Sequence, residues 1–252
     1  MLYHERAAEI LRLAQLQNIV KIQELMKHLH VSVDTVRRDL RQMEEEGQIK
    51  CIRGGACLPD ALSSLSNFSG REIIHIEGKQ QAAKKALRYV QQGMTIAMNS
   101  GTTNTVLAQE LASKTVPLTV ITNNLAAAQI LMQNAKIRLI VIGGTVDPEE
   151  RSTYGAACEA EFRTYLPDLA FLSINAVSLE EGFTDFRYHE ISILQLLAQR
   201  AQRVIAVMDA SKLGRQSKKT VLQLSQVDRL VMDCLPTDAI CRAYEKAGIQ
   251  IE

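Results

Sequence analysis

The chain has 252 residues, 46% of them hydrophobic, with a net charge of +1 and a mean hydropathy of -0.05. That length suits two domains or one large one, and no apolar run approaches the ~20 residues that cross a bilayer, which excludes a membrane-spanning helix. Five scattered cysteines without a Cys-x-x-Cys pair exclude a disulfide framework and a zinc site, so neither metal nor cofactor is expected. The opening residues Met-Leu-Tyr-His-Glu-Arg lack a cationic stretch followed by an apolar one, and a cytoplasmic location is expected.

Along the chain, Tyr3 to Gln17 predicts a helix with Ala7, Ile10, Leu11 and Ala14 as its buried face. Ile22, Leu25, Met26 and Leu29 repeat at helical spacing, and only His30-Val31 separates them from a further helix. In that helix Val33, Val36, Leu40 and Met43 form the apolar stripe, while Asp34, Thr35, Arg37, Arg38 and Arg41 fall on the outward face. Ser32 is placed to cap its start by accepting a free backbone N–H. Gly47 stops the helix, and two short β-prone runs flank Arg53-Gly54-Gly55, a glycine pair suited to a hairpin turn. An amphipathic surface helix would explain the arginines alone. Three helices with a tight turn and a hairpin together predict a winged helix-turn-helix that reads double-stranded DNA. Arginines near the helix start reach phosphates or guanine edges in a major groove.

The small net charge does not oppose DNA binding, because Arg37, Arg38, Arg41, Lys50 and Arg53 cluster in the reading helix and wing. Glu44-Glu45-Glu46 is expected to tilt away from phosphate, and dimerisation is expected to supply affinity that one small module lacks. Pro59 to Gly70 is rich in serine and small residues and reads as a linker, with Leu62, Leu65 and Phe68 able to dock. The expected domains are therefore 1–58, a linker 59–76, and 77–252.

From Glu77 a helix to about Gln92 precedes alternating strands and helices. The expected strands are Thr95–Asn99, Leu118–Thr122, Ile137–Ile142, Leu169–Asn175, Val204–Asp209 and Arg229–Asp233, with an edge strand at Ile249–Ile251. Helices are expected near Thr103–Ser113, Leu125–Gln133, Cys158–Tyr165, His189–Arg203 and Thr237–Ala247. This alternation predicts a mostly parallel α/β sheet, whose ligands gather at the carboxyl ends of its strands. Those ends carry Asn99-Ser-Gly-Thr-Thr103, Thr122-Asn-Asn124, Gly143-Gly-Thr145, Ser173-Ile-Asn175 and Asp209-Ala-Ser-Lys212. In the first, Gly101 permits close backbone approach, and the hydroxyls and free N–H groups of Ser100, Thr102 and Thr103 can cradle an anion. An ordinary helix cap is the competing reading of that loop, as a surface lysine is of Lys212. Their convergence points to a small anionic ligand.

With Val31-Ser-Val-Asp-Thr-Val-Arg-Arg-Asp-Leu40 and Arg53-Gly-Gly-Ala56, the N-terminal part resembles the DeoR-type bacterial transcriptional regulators. Asn99-Ser-Gly-Thr-Thr103, Val120-Ile-Thr-Asn-Asn124, Ile142-Gly-Gly144, Asp168-Leu-Ala-Phe171, Gly182-Phe-Thr184 and Asp209-Ala-Ser-Lys-Leu-Gly214 resemble that family's sensor domain in the same order. The resemblance spans essentially the whole chain. It implies a repressor of a carbohydrate-catabolism operon whose sensor is similar in fold to ribose-5-phosphate isomerase and CoA transferases. Such a sensor binds a phosphorylated sugar or polyol. By position, Asn99, Ser100, Gly101, Thr102 and Thr103 would form the phosphate loop, with Thr122, Asn123, Gly143, Gly144, Asn175 and Lys212 lining the rest. The Tyr188-His189-Glu190 run resembles that of the family's glycerol-3-phosphate repressor and adds His189 and Glu190. Ser32, Asp34, Thr35, Arg37, Arg38, Arg41 and Arg53 would contact operator DNA as part of a homodimer or homotetramer. Three departures stand out: Asn99 replaces the family's usual Asp, Ser173-Ile-Asn-Ala-Val177 replaces a glycine-rich segment, and Gly78-Lys79 replaces Glu-Lys.

A sugar-phosphate isomerase with an appended helix-turn-helix is the alternative, since Asp168, Asp185, Glu190 and Asp209 are available carboxylates. None lies in an acidic, glycine-rich segment like the catalytic one of such isomerases, and the expectation is a regulator, not an enzyme.

Overall fold

A computed structural model describes residues 2–17, 19–52, 54–58 and 67–252. It divides into two compact units, residues 1–75 and 76–252. In chain order the first contains α1 (Tyr3–Gln17), β1 (Ile19–Lys21), α2 (Ile22–Leu29), α3 (Val33–Glu45), β2 (Lys50–Ile52), β3 (Gly55–Cys57) and α4 (Phe68–Ile73). Its core is the set the helical spacing selects: Ala7, Ile10 and Ala14 of α1, Leu25 and Leu29 of α2, and Val36, Leu40 and Met43 of α3 are all buried. Leu11, Ile22, Met26 and Val33 are only half-buried at its margin.

The hairpin of β2 and β3 forms as expected, and β1 joins it as a third antiparallel strand in the order β1-β3-β2. This strand was not foreseen, because three residues between two helices carry no period. It also separates the roles of the two glycines. Gly54 takes φ +83 at the turn, whereas a Cβ on Gly55 would lie 2.1 Å from the Val20 carbonyl oxygen of β1. Gly55 is therefore demanded by strand approach and not by turn geometry. The expected linker 59–76 needs correction over its second half. Asn67 caps α4 by accepting the Gly70 N–H at 2.9 Å, Phe68 is fully buried, and Ile73 and Ile74 pack with Cys57. Leu62 and Leu65 lie outside the described residues.

The second unit runs α5 (Ile76–Ala86), β4 (Thr95–Met98), α6 (Thr102–Ala112), β5 (Leu118–Thr122), α7 (Leu125–Leu131), β6 (Ile137–Val141), β7 (Thr145–Asp147), β8 (Ser152–Tyr154), α8 (Ala156–Phe162), β9 (Leu169–Leu172), β10 (Ala176–Ser178), β11 (Gly182–Asp185), α9 (Ile191–Arg200), β12 (Arg203–Met208), β13 (Lys219–Leu222), β14 (Arg229–Met232), α10 (Asp238–Lys246) and β15 (Gln250–Ile251). Seven strands form one parallel sheet, ordered β15-β14-β12-β9-β4-β5-β6. Alternate residues enter two separate cores: Ile205 and Val207 one, Ala206 and Met208 the other. A sheet covered on both faces explains why its strands read as unbroken apolar runs. The foreseen strands and helices are all present, most of them shorter by a residue or more. The β7–β8 hairpin and the antiparallel sheet β10-β11-β13 were not foreseen. Their three- and four-residue strands fall between the longer apolar runs.

The strand order decides where a ligand can sit. The chain winds one way through β4, β5 and β6, and the other way through β9, β12, β14 and β15. The crevice of such a sheet opens at the carboxyl ends of the two strands where winding reverses. Here those are β4 and β9, which end at Asn99-Ser100 and Ser173.

Candidate functional site

In the first unit, His30 closes α2 in the left-handed conformation (φ 54), with its N–H bonded to the Met26 carbonyl. This permits α3 to begin at once. Ser32 Oγ accepts the Thr35 N–H at 3.3 Å and lies 3.0 Å from Thr35 Oγ1, so the predicted cap is formed by two of the predicted reading residues. Asp34, Arg37, Arg38 and Arg41 are exposed, Thr35 is half-buried, and the three arginines make no ion pair among the described residues. Together with Gln42, Glu45 and Glu46 the arginines and Asp34 border one open concavity. Arg53 lies outside the described residues. The expectation that the three glutamates turn away holds only for Glu44, whose Oε1 accepts the Cys51 N–H of β2 at 2.8 Å. Asp39 was missed as a structural residue. It is buried, although Arg37, Arg38 and Arg41 around it on α3 are exposed, and takes a two-pronged bond from Arg6 of α1, at 2.6 and 2.9 Å.

In the second unit, the residues at the winding reversal converge. Asn99, Ser100, Thr103 and Asn123 are fully buried, and Glu190 nearly so. Asn99 Nδ2 donates to the Ser100 and Ser173 carbonyls at 2.8 and 3.1 Å and to Glu190 Oε2 at 3.3 Å. Asn99 Oδ1 accepts from Asn104 Nδ2 and the Ser173 N–H. The Ser100 N–H also donates to Glu190 Oε2, at 3.2 Å, and Asn123 Nδ2 donates to Glu190 Oε1 at 2.7 Å. Burial pushes the Glu190 carboxyl above its ordinary pKa, while the Arg187 charge and the bonds from Asn123, Ser100 and Asn99 offset part of that rise. Asn99 therefore matches Glu190: an Asp in its place would set a second carboxylate beside the first.

Arg187 is the residue sequence reasoning missed. It is buried, paired with Asp185 at 2.7 Å, and donates to the Ser100 carbonyl at 3.0 Å and the Ser173 carbonyl at 2.8 Å. Burial alone would lower its pKa, but the paired Asp185 carboxylate drives it up. A Cβ on Gly101 (φ +129) would come within 2.5 Å of Ser173 Oγ and 3.0 Å of Arg187. The close approach that Gly101 allows is thus made by the protein's own side chains on that flank. The flanking charges Asp185 and Arg187 in a short polar segment were the only sequence signal, and nothing local linked them to a loop 87 residues earlier.

The other predicted residues take distinct places. Thr122 Oγ1 donates to the Met98 carbonyl at 2.7 Å and accepts the Asn124 N–H at 3.0 Å, so its proton is committed to the backbone. Gly143 and Gly144 are exposed, and a Cβ on Gly144 would press on the Tyr154 carbonyl and Cys158. Lys212 Nζ donates to the Ile174 carbonyl at 3.2 Å, one residue along from Ser173. The Asn175 N–H donates to Asp185 at 3.0 Å. His189 is exposed and stacks on Tyr154 with ring centroids 4.1 Å apart. Thr103 Oγ1 and Asn123 Oδ1 are buried without a hydrogen-bond partner. No group of three or more potential metal ligands occurs among the described residues. All five cysteines are free, and burial lifts the Cys158 thiol to about 11.

The family model of the DeoR-like helix-turn-helix domain matches residues 6–61, and that of the DeoR C terminal sensor domain matches residues 74–234. The chain belongs to the DeoR family. It is a helix-turn-helix transcriptional regulator, similar over its full length to other DeoR-type proteins. The HTH-type transcriptional regulator GolR of Listeria innocua is 33% identical over 98% of this chain and 97% of its own. The HTH-type transcriptional repressor GlcR of Bacillus subtilis is 31% identical over 100% and 96%, and the glycerol-3-phosphate regulon repressor of Escherichia coli is 29% identical over 98% of each. Among solved structures, ribose 5-phosphate isomerase A from Methanocaldococcus jannaschii is similar at 20% identity over 54% of this chain and 53% of that one, with a TM-score of 0.40. No helix among the described residues of this DeoR-family chain is long and apolar enough to cross a membrane.

Proposed function

We propose that this DeoR-family regulator represses a carbohydrate-catabolism operon, gripping double-stranded operator DNA through α3 and the wing and answering a phosphorylated sugar or polyol held at the Ser100–Thr103 loop. It acts in the cytoplasm as a homodimer or homotetramer whose paired reading helices engage two half-sites. The observation that carries this reading is a division of labour within one chain. An arginine face sits on a capped α3, and a strand-to-helix loop of small and hydroxyl residues sits at the winding reversal of the sheet. The free N–H groups at the start of α6 favour a phosphate there. Lys212 supplies a cation at the same rim, and Ser100, Gly101, Thr102, Thr103, Asn123 and Glu190 form the effector set. The operator set is Ser32, Asp34, Thr35, Arg37, Arg38, Arg41 and Arg53.

A binding role, and not isomerisation, is supported by the carboxylates. Asp168 accepts the Thr95 N–H at 2.7 Å, at the amino ends of the strands and so away from the loop. Asp185 is held by Arg187, Asp209 Oδ1 by Ser211, and Glu190 by three donors. Two measurements on the full chain test the reading. A mobility-shift assay on DNA upstream of its own gene should show binding that Arg37→Ala weakens about tenfold or more. A panel of sugar and polyol phosphates should raise the unfolding temperature, and Lys212→Ala should abolish that rise. Turnover of ribose 5-phosphate would overturn the regulatory reading of the pocket.

A further inference from the structure

Asn123 presents an unfilled requirement beside the phosphate loop. Its Nδ2 donates to the Thr153 carbonyl at 2.8 Å, which can only accept, and to Glu190 Oε1 at 2.7 Å. Exchanging the amide ends would set oxygen against oxygen at the Thr153 carbonyl whatever the protonation of Glu190, so the orientation is fixed. Its Oδ1 is then left as an acceptor, buried and without a partner, on a residue that is 0% exposed. A buried acceptor left unpaired within the protein, as Asn104 Oδ1 also is, calls for a donor from outside it, and at the edge of a ligand site a ligand can supply one.

A phosphate ester is the poorer partner. Near pH 7 it is mostly doubly ionised, so its oxygens chiefly accept. In this reading the phosphate's place is at the N–H groups that begin α6 at Thr102, since the Ser100 N–H is already taken by Glu190 Oε2. The Asn123 edge must then meet the part of the ligand that carries no phosphate. Resting on the phosphate reading given above, we infer that Asn123 is the specificity-determining residue of this pocket, selecting effectors that offer a hydroxyl donor to its Oδ1. The phosphate loop holds any phosphate ester, and Asn123 distinguishes a polyhydroxylated one from a bare alkyl ester. The surrounding structure keeps that amide rigid. Thr153 lies on β8 and Glu190 on the turn before α9, and their neighbours Tyr154 and His189 stack face to face. A rigid acceptor discriminates better than one that must first be ordered.

The test is a calorimetric titration of the full chain with four probes: inorganic phosphate, ethyl phosphate, glycerol 3-phosphate and ribose 5-phosphate. At least one hydroxylated ester should bind about tenfold or more tightly than ethyl phosphate, the discrimination one buried hydrogen bond supplies. In Asn123→Ala that ratio should fall towards one. A residue with a merely structural role would weaken both ligands alike and leave the ratio where it was. Asn123→Ser, which leaves a small polar side chain in place of the amide, serves if the alanine variant does not fold, with the same expected loss of ratio. A native ratio near one, or a ratio unchanged in the variants, overturns the inference while leaving phosphate binding intact. Failure of all four probes to bind overturns the phosphate reading itself, and this inference with it.

Discussion

At the scale of single residues, two buried groups make predictions of opposite kind. Thr103 Oγ1 has no partner in the protein, so the hydroxyl contributes a desolvation cost without a compensating bond. Thr103→Val keeps the shape and removes that cost. The unliganded protein should be no less stable, and more stable by up to about 1 kcal/mol, while its stabilisation by sugar phosphates shrinks. Thermal unfolding with and without ligand reads both effects, and a clear loss of stability without ligand would show that the hydroxyl already has a structural duty. Glu190 behaves differently. Its folded pKa lies above the ordinary 4.5 because of burial. Stability from its protonated form is therefore fully present below about 4.5 and is lost as pH rises through the raised folded value. Gln cannot titrate. Glu190→Gln carries a fixed cost where its amide meets the Asn99, Ser100 and Asn123 donors, but its unfolding temperature relative to wild type should climb as pH rises from about 4.5 through the raised folded value. A difference independent of pH would mean that Glu190 does not titrate across that window.

Among the elements, legibility in the sequence followed period. The α1, α2 and α3 helices declare themselves through apolar repeats, and the seven parallel strands through short apolar runs whose two faces are both buried. The strand-to-loop-to-helix unit at Ser100 was readable because its residue types match its chemistry locally. What escaped was set by partners distant in the chain. β1 exists because β3 lies beside it, α4 because Phe68 is buried and Ile73 and Ile74 find Cys57, and the Arg187 contact because a turn 87 residues on reaches back to Ser100. Asp39 belongs to the same class. By spacing it sits among the arginines of the reading helix, yet it faces inward and joins α3 to α1 through Arg6. Removing Asp39 takes away the two-pronged, charge-assisted bond that ties α1 to α3. Asp39→Ala should cost about 1–2 kcal/mol in urea unfolding of the full chain. It should also weaken operator binding more than its distance from the DNA face suggests, because α1 no longer holds α3 in place. Unchanged stability would show that the Arg6 bond is replaced by solvent without penalty.

For the whole molecule, the proposed regulation requires that an event at the Ser100 loop alters the grip proposed for Arg37. Two sites on one chain are coupled only as far as each ligand distinguishes the states the other selects, and the coupling is reciprocal. If a sugar phosphate changes operator affinity by some factor, the operator must change sugar-phosphate affinity by the same factor, typically about 5- to 150-fold for regulatory proteins. The reciprocity holds whether the ligand releases the protein from DNA or tightens it. The measurement is a thermodynamic square on one preparation. Operator affinity is determined with and without saturating ligand, and ligand affinity with and without saturating operator fragment. Equal factors well away from one would establish that a single equilibrium joins the two units. A factor of one on both sides, with both ligands bound, would leave a DNA-binding protein and a phosphate-binding protein that share a chain and do not communicate. The Lys212→Ala variant supplies the internal control: it should retain operator binding and lose only the response to ligand.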